Sequence, residues 1–245
     1  MKAMVFAAGL GTRLKPLTDN MPKALVEVGR EPMLGRVINK LINIGVDTVV
    51  VNVHHFPDMI RGYLHANNNF GIDIIISDEA EELLDTGGGI LAAAGWLDDN
   101  KPFIVHNADI LTDFSLKEMV DTHISTCADV TLLAQNRRSS RTFVYDDSLC
   151  LKGWARTGTD ETIPLGLDVN KLRCLAFGGV SIVNPSVFPL MRQYAEKNGP
   201  VFSTTPFYAS ECSHLNIIGY MPSGEYRWFD IGKMETLVKA REAFT

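Results

Sequence analysis

The first half of the chain alternates between two hydrophobic patterns, and this alternation restricts the fold more than any other feature. Short apolar or β-branched runs occupy residues 1–8, 48–53, 72–76, 103–106 and 130–134. Segments with helical spacing or helix-start signals lie between them, at residues 33–44, 57–66, 86–96 and 115–125. Such alternation is typical of a parallel sheet with right-handed crossovers. We therefore predict an α/β fold with a Rossmann-like, mostly parallel sheet and helices on both faces.

Two of these helices carry signals at their N-termini. Pro57 stands in the first turn of one, where a proline is well tolerated. Ser115 and Glu118 have the spacing of a capping box, in which the serine accepts from the Glu118 amide and the glutamate reaches back. His54 and His55 end a predicted strand before Pro57, and we expect them to be structural histidines rather than an acid–base pair.

The pattern changes after about residue 137. The stretch up to residue 175 is polar and contains several glycines, as in GWARTGTDETIPLGLD, and it predicts loops with small antiparallel strands. Regular structure is expected to resume with strands at 175–183 and 214–220 and with helices at 185–194 and 234–244. No repeat or long linker interrupts the chain, so we expect residues 1–245 to form one domain with an inserted lobe.

Composition argues against several classes of partner and site. The net charge of -6, with acidic and basic residues interspersed, provides no basic patch for nucleic acid. The four cysteines are far apart and lack metal-ligand spacing, which argues against a disulfide framework or a zinc site. The first apolar run is too short for a signal peptide, and no run approaches the length of a membrane span. We expect a cytoplasmic protein that contacts no membrane, and its oligomeric state stays open.

Residues 7–25, which read AAGLGTRLKPLTDNMPKAL, carry the strongest functional signal. Gly9 and Gly11 would let backbone amides approach an anion, and Arg13 and Lys23 could hold phosphate groups. The dinucleotide fingerprint lacks its third small residue here, and the P-loop lacks its Gly-Lys-Ser/Thr, so neither pattern is met. The alternative interpretation is a strained surface turn with solvated charges.

Two further motifs follow predicted strands. Residues 85–89, DTGGG, would open a helix with free N–H groups facing a ligand, and a tight strand-to-helix turn is the alternative. Residues 105–109, VHNAD, place Asp109 at the carboxyl end of a buried strand, where a carboxylate is suited to hold Mg²⁺. Asp109 could instead cap the following loop, although Asp113 is better placed for that duty.

The last candidates lie in the second half. Residues 228–232, WFDIG, contain Asp230, which would be read as an N-cap of the final helix if it stood alone. The glycines of residues 177–181, FGGVS, could mark a bulge in a strand.

Taken together, these strings resemble the signature of the sugar-1-phosphate nucleotidyltransferase family, GxGTRLxPLTxxxPKxL, with its later motifs in the same order. The resemblance implies the nucleotide-diphospho-sugar transferase fold, with a nucleotide-binding half at about residues 1–135. A small sugar-binding lobe and a C-terminal helix would occupy about residues 136–245. It also implies that a nucleoside triphosphate and a sugar 1-phosphate are the substrates and that Mg²⁺ is the cofactor.

The family motifs assign roles to individual residues. Arg13 and Lys23 would be catalytic, Asp109 and Asp230 would hold Mg²⁺, and Asn107, Gly178 and Gly179 would bind the sugar phosphate. The nucleotide would contact Ala8, Gly9, Gly11, Thr12, Arg13, Lys23, Asp85, Thr86, Gly87 and Gly88. The chain departs from the family in having Ala108 before Asp109, where the family usually has glycine.

Within the family, the chain's length and its TGGGI string resemble the branch that transfers a uridylyl group to N-acetylmuramic acid 1-phosphate. Mannose-1-phosphate guanylyltransferases and phosphocholine cytidylyltransferases are similar in plan and stay open as alternatives. A non-catalytic sensor of nucleotide-sugars is an alternative of another class. Retention of the two cations and two carboxylates favours the enzyme.

Overall fold

The computed structural model describes residues 1–244 and contains a ten-stranded mixed sheet. The strands are β1 (Lys2–Phe6), β2 (Glu27–Val28), β3 (Glu31–Pro32), β4 (Thr48–Val53), β5 (Asp73–Asp78), β6 (Phe103–Asn107), β7 (Ile110–Thr112), β8 (Val130–Gln135), β9 (Arg141–Tyr145), β10 (Leu151–Arg156), β11 (Thr162–Ile163), β12 (Arg173–Val183), β13 (Ile217–Tyr220) and β14 (Trp228–Asp230). The helices are α1 (Met33–Ile42), α2 (Pro57–Ala66), α3 (Asp85–Ala92), α4 (Ala94–Leu97), α5 (Leu116–Ser125), α6 (Phe188–Asn198), α7 (Thr204–Glu211) and α8 (Met234–Ala243). Short 3-10 turns lie at Thr12–Leu14, Leu17–Asp19, Lys23–Leu25, Asn68–Gly71 and Pro185–Val187.

The sheet has the order β11-β10-β9-β12-β6-β1-β4-β5, and β8 pairs with both β12 and β13. Strands β6, β1, β4 and β5 run parallel, as the strand–helix alternation predicts. The long strand β12 runs antiparallel to β6, β8 and β9, and so joins the parallel part to the hairpin strands of residues 141–163. The predicted fold class is therefore confirmed.

Helices cover both faces of this sheet because alternate residues of its central strand point to opposite sides. Ala3 and Val5 of β1 pack in a hydrophobic cluster with α1, α2 and α5, whereas Met4 packs in a second cluster with α3, α4, α6 and α7. A third, smaller cluster beneath α8 includes Leu14, Val28 and Ile231, and it fixes the first loop against the end of β14.

Most predicted elements are present, with a few differences. The predicted helix at 86–96 is divided into α3 and α4, and the one at 185–194 begins with a 3-10 turn and extends to Asn198. Ser115 caps α5 by accepting from the Glu118 amide at 3.2 Å, as predicted, but the Glu118 carboxylate accepts from the Tyr220 hydroxyl at 3.5 Å. Helix α7 and strands β2, β3, β7 and β14 were not among the predicted elements. Within residues 1–244, none of the helices is both long and apolar enough to cross a membrane.

Candidate active site

A cavity of about 520 Å³ opens at the carboxyl ends of the parallel strands. Its walls come from the residues that end or follow four strands: residues 6–9 after β1, Asn52 on β4, Glu79 after β5, and residues 107–109 at the end of β6. Lys23, Ala24, Leu83, Asp85, Thr86 and Val201 complete the lining. Ligands of open α/β sheets bind at this edge, because the strand ends deliver short loops to one place.

One end of this site combines two cations with two carboxylates. Lys23 forms a short ion pair with Asp109, and only 12% of the lysine side chain and 23% of the aspartate side chain are exposed. Arg13 and Asp230 join them around Gly232. A Cβ atom built on Gly232 would lie 2.7 Å from Asp230 Oδ1, 2.8 Å from Arg13 Nη2 and 3.1 Å from Lys23 Nζ.

Two short strands bring the distant aspartates together. Strand β7 pairs antiparallel with β14, which sets Asp230 opposite Ile110, and the Ile231 amide donates to the Asp109 carbonyl at 3.0 Å. The alternative reading of Asp230 as a helix cap is wrong. Its Oδ1 accepts from the Gly232 amide at 2.8 Å, and α8 begins after Lys233 without a side-chain cap.

Asp113 secures the far end of the same pair of strands. Its carboxylate accepts from the Arg227 amide at 2.6 Å and from Arg227 Nε at 2.7 Å. Burial acts to raise the pKa of Asp113, but these hydrogen bonds outweigh it and lower the pKa. Asp113 therefore holds the β7–β14 unit closed instead of capping the loop ahead of α5.

The first loop is folded back on itself rather than strained at the surface. Gly11 has a φ of 65°, and a Cβ atom there would lie 2.9 Å from Thr18 Cγ2 and 3.1 Å from Lys23 Cβ. The Thr18 hydroxyl donates to the Gly11 carbonyl at 2.8 Å. Gly11 is therefore required by packing, whereas Gly9 has open space on its Cβ side and lines the cavity. Thr12 and Arg13 follow at the exposed start of a 3-10 turn.

The expected free amides of the DTGGG motif are not free, and this part of the interpretation was wrong. The amides of Gly87 and Gly88 both donate to the Phe202 carbonyl, at 2.8 and 3.1 Å. Cβ atoms at these two positions would lie 2.3 Å from the Phe202 ring and 2.3 Å from the Pro200 carbonyl oxygen. These glycines allow α3 to pack against residues 200–202, while the preceding Asp85 and Thr86 reach the cavity.

The two glycines of β12 form a bulge. The register with β8 shifts between Phe177 and Ser181, and Gly179 has a φ of 76°. A Cβ atom on Gly179 would lie 3.2 Å from Asn107 Nδ2, so the bulge meets the end of β6 beside the cavity. The Gly178 carbonyl accepts from Trp228 Nε1 at 2.9 Å.

Arg137 is a charged residue near this bulge that the motifs did not reveal. Its Nε donates to Gln135 Oε1 at 3.0 Å and its Nη2 to the Phe177 carbonyl at 2.9 Å, while its guanidinium lies 4.5 Å from the centre of the Trp228 ring. Burial lowers the pKa of Arg137, and the neighbouring charge of Asp230 acts in the opposite direction.

A buried polar pair behind the cavity was also missed. Asn52 and Glu79 are each 3% exposed. Asn52 Oδ1 accepts from the Ala7 amide at 2.8 Å, its Nδ2 donates to Glu79 Oε1 at 2.8 Å, and Glu79 Oε2 accepts from the Leu84 amide at 3.0 Å. The pair thus connects strand β4 with the loop after β1 and the segment between β5 and α3. Its signal in the sequence is a polar residue at the end of each of two neighbouring apolar strands.

His54 has a structural contact, as expected, since its Nδ1 lies 2.7 Å from the Glu79 carbonyl oxygen.

Comparison with known proteins gives consistent results. The model of the Nucleotidyl transferase family matches residues 2–145. The chain is 32% identical to N-acetylmuramate alpha-1-phosphate uridylyltransferase of Caulobacter vibrioides, over 97% of this chain and 94% of that protein. It is 36% identical to mannose-1-phosphate guanyltransferase of Saccharomyces cerevisiae, but over 55% of this chain and 37% of that protein.

Solved structures resemble the whole chain in fold. The UDP-glucose pyrophosphorylase of Acinetobacter baumanii superposes with a TM-score of 0.76 and 18% identity, covering 100% of this chain and 93% of that one. HddC of Yersinia pseudotuberculosis, solved in complex with GMP-PN, superposes with a TM-score of 0.76 and 20% identity, covering 100% and 99% of the two chains.

Proposed function

The chain belongs to the Nucleotidyl transferase family and is a sugar-1-phosphate nucleotidyltransferase, and we propose that it transfers the uridylyl group of UTP to N-acetylmuramic acid 1-phosphate. The products would be the UDP-sugar and pyrophosphate. The observation that carries the proposal is the convergence of Arg13, Lys23, Asp109 and Asp230, of which Lys23 and Asp109 line the cavity.

The choice of substrates rests on the extent of the similarity. The similarity to the Caulobacter uridylyltransferase covers 97% of this chain, and so extends into the lobe of about residues 136–245, in which we expect the sugar to bind. The match to the Saccharomyces guanyltransferase spans 55% of this chain and about a third of that enzyme. The family model matches residues 2–145, so the similarity to the uridylyltransferase that continues through the rest of the chain favours the muramic acid substrate.

The proposed reaction needs alignment and charge neutralisation more than proton transfer. A phosphate monoester has a second pKa of about 6, so the attacking oxygen of the sugar phosphate is already ionised at neutral pH. It would attack the α-phosphorus of UTP in line with the leaving pyrophosphate. We assign Arg13 to the pyrophosphate, and Lys23 to the α-phosphate and the incoming phosphate. Asn107 and the Gly178–Gly179 bulge would position the sugar phosphate.

The two carboxylates suit Mg²⁺. As the family motifs imply, Asp109 and Asp230 would be its protein ligands. Residues 1–244 contain no group of three or more His, Cys, Asp or Glu side chains placed to hold a metal. Mg²⁺ commonly binds through one or two carboxylates and completes its shell with water and substrate phosphates. When bound there, it would neutralise part of the charge on the reacting phosphates.

The test is pyrophosphate release in the presence of Mg²⁺, with UTP, GTP, CTP and dTTP against a panel of sugar 1-phosphates. Preferred turnover of UTP with N-acetylmuramic acid 1-phosphate would support the proposal, and preference for another pair would replace the substrates.

Asp230→Asn should abolish Mg²⁺-dependent turnover, whereas Asp98→Asn, at an exposed position, should not. Tight binding of a nucleotide-sugar without any turnover would contradict the proposal and support the sensor.

A further inference from the structure

A second cavity, of about 350 Å³, lies next to the first and shares Asp85 with it. It is enclosed on the lobe side by strands β9, β10 and β11. Phe177, which directly precedes the Gly178–Gly179 bulge, belongs to its wall. The second cavity therefore adjoins the first at Asp85 and extends towards the hairpin strands.

Aromatic rings form one part of this cavity. Trp154 and Phe143 lie directly opposite each other on β10 and β9, and the Phe143 and Phe177 ring centroids are 6.1 Å apart. Ring faces of this kind suit the C–H faces of a sugar, and the hydroxyls of Ser203 and Thr205 provide polar groups nearby. The lining resembles that of a site for a polar ring.

The other part of the cavity carries an unusual charge arrangement. Arg141 and Arg156 also lie directly opposite each other on β9 and β10, and both line the cavity. Like charges at directly opposed positions destabilise an antiparallel pair of strands. Glu161 pairs directly with only one of them, because its carboxylate forms a bidentate ion pair with the Arg156 guanidinium.

Arg141 is left with capacity to bind an anion. Among residues 1–244, its guanidinium has neither an ion-pair partner within 4.0 Å nor a side-chain hydrogen bond, and its attraction to Glu161 acts from a distance. A guanidinium presents a planar pair of N–H donors that matches a carboxylate in a bidentate geometry. Asp85 carries the opposite charge at the junction of the two cavities, so an anion is favoured on the lobe side.

We propose that Arg141 selects a sugar phosphate that carries a carboxylate, such as the lactyl ether of muramic acid, and holds that carboxylate in the second cavity. This inference rests on the proposed function, because it assumes that the sugar 1-phosphate extends from Lys23 past the bulge into the lobe. Arg141 is then a specificity residue for the non-reacting part of the substrate.

The experiment compares N-acetylmuramic acid 1-phosphate with N-acetylglucosamine 1-phosphate, which lacks only the lactyl group, for the wild type and Arg141→Gln. We expect the substitution to lower kcat/KM for the muramic acid substrate by about ten- to a hundredfold, mostly through KM. It should leave the N-acetylglucosamine compound unchanged, as a substrate or, where turnover is slow, as a competitive inhibitor. Arg30→Gln, at an exposed arginine that lines neither cavity, is the matched control.

Three outcomes would overturn the inference. Equal losses with both sugars would show that Arg141 holds the common phosphate or the fold. A wild type that prefers the muramic acid substrate together with an unaffected Arg141→Gln would refute the inference and leave the proposed function standing. If the wild type and Arg141→Gln both prefer a neutral sugar phosphate, the inference and the proposed function are both refuted.

Discussion

Gly232 is the position where one added methyl group would reach three proposed functional side chains. Its hypothetical Cβ atom is within about 3 Å of charged atoms of Arg13, Lys23 and Asp230, all of them ends of flexible side chains. These groups can move aside at little cost in stability, but they would then leave the positions that the reaction needs. A displacement of about 1 Å in a positioned group can cost about a hundredfold in rate.

Gly232→Ala should therefore lower kcat/KM by about ten- to a hundredfold, while the free energy of unfolding falls by less than about 1 kcal/mol. Steady-state kinetics and urea unfolding measure the two effects. Gly62→Ala is the control, because Gly62 lies in α2 with open space around it, so alanine should add about 0.5–1 kcal/mol of stability without changing the rate. Full activity of Gly232→Ala would contradict the proposed roles of the three side chains around Gly232.

Lys23 is a residue whose removal should affect both the reaction and the ion pair with Asp109. Lys23→Gln removes the charge proposed for the α-phosphate, and turnover should fall about 100- to 1,000-fold. Asp109 loses its partner but keeps some contact with water. The free energy of unfolding should therefore fall by only about 1–2 kcal/mol. Lys117→Gln breaks the exposed pair with Asp121 and should change neither quantity. A loss of activity that merely follows a loss of folded protein would assign Lys23 a structural role.

At the scale of elements, the segment between β5 and α3 depends on one buried carboxylate. Glu79 accepts from Asn52 through one oxygen and from the Leu84 amide through the other. Glu79→Gln replaces one acceptor with an NH₂ group that faces a donor, which should cost about 1–3 kcal/mol of stability. Asp85 and Thr86 follow this segment, so KM for UTP should rise more than kcat falls. The exposed Glu81→Gln is the control, and a kcat effect without a KM effect would contradict this role.

The sequence predicted the elements whose patterns are local. Strand β4 and helix α2 begin and end where expected, because a β-branched run and a proline at the first turn define them without tertiary context. Strands β7 and β14 have three residues each and exist through pairing with one another, so no local pattern marks them. Helix α7 is short, and its buried residues Thr204, Phe207, Tyr208 and Ala209 do not follow one helical face, which obscures its helical period.

The same distinction applies to the site. Lys23, Asp109 and Asp230 were found through motifs, although their meeting depends on the β7–β14 pairing. The DTGGG glycines were misread because their partner, the Phe202 carbonyl, is more than a hundred residues away. Arg141 was missed because its meaning comes from the register that sets Arg156 opposite it. Roles that depend on strand register are not visible in one sequence.

For the molecule as a whole, a buried histidine in the central sheet makes stability depend on pH in the acid range. His106 lies on β6 between β1 and β12, is 1% exposed, and has Nδ1 2.8 Å from the Asn107 carbonyl oxygen. Its Nε2 has no hydrogen-bond partner among residues 1–244. Burial, together with the nearby charge of Lys40, lowers the pKa of His106 to about 4. The folded protein therefore keeps this histidine neutral where the unfolded chain protonates it.

Because the folded pKa lies below the unfolded value near 6.5, the unfolded state binds more protons, and stability declines as pH falls from about 6.5 towards 4. This histidine alone should account for about 3 kcal/mol over that window. In urea unfolding, the stability difference between the wild type and His106→Asn should shrink by about that amount between pH 7 and pH 4. Exposed His65→Asn should show no such change. If the stability difference between the wild type and His106→Asn is the same at both pH values, the buried imidazole accepts its proton without opening the sheet. Any acid sensitivity of the fold would then come from other residues.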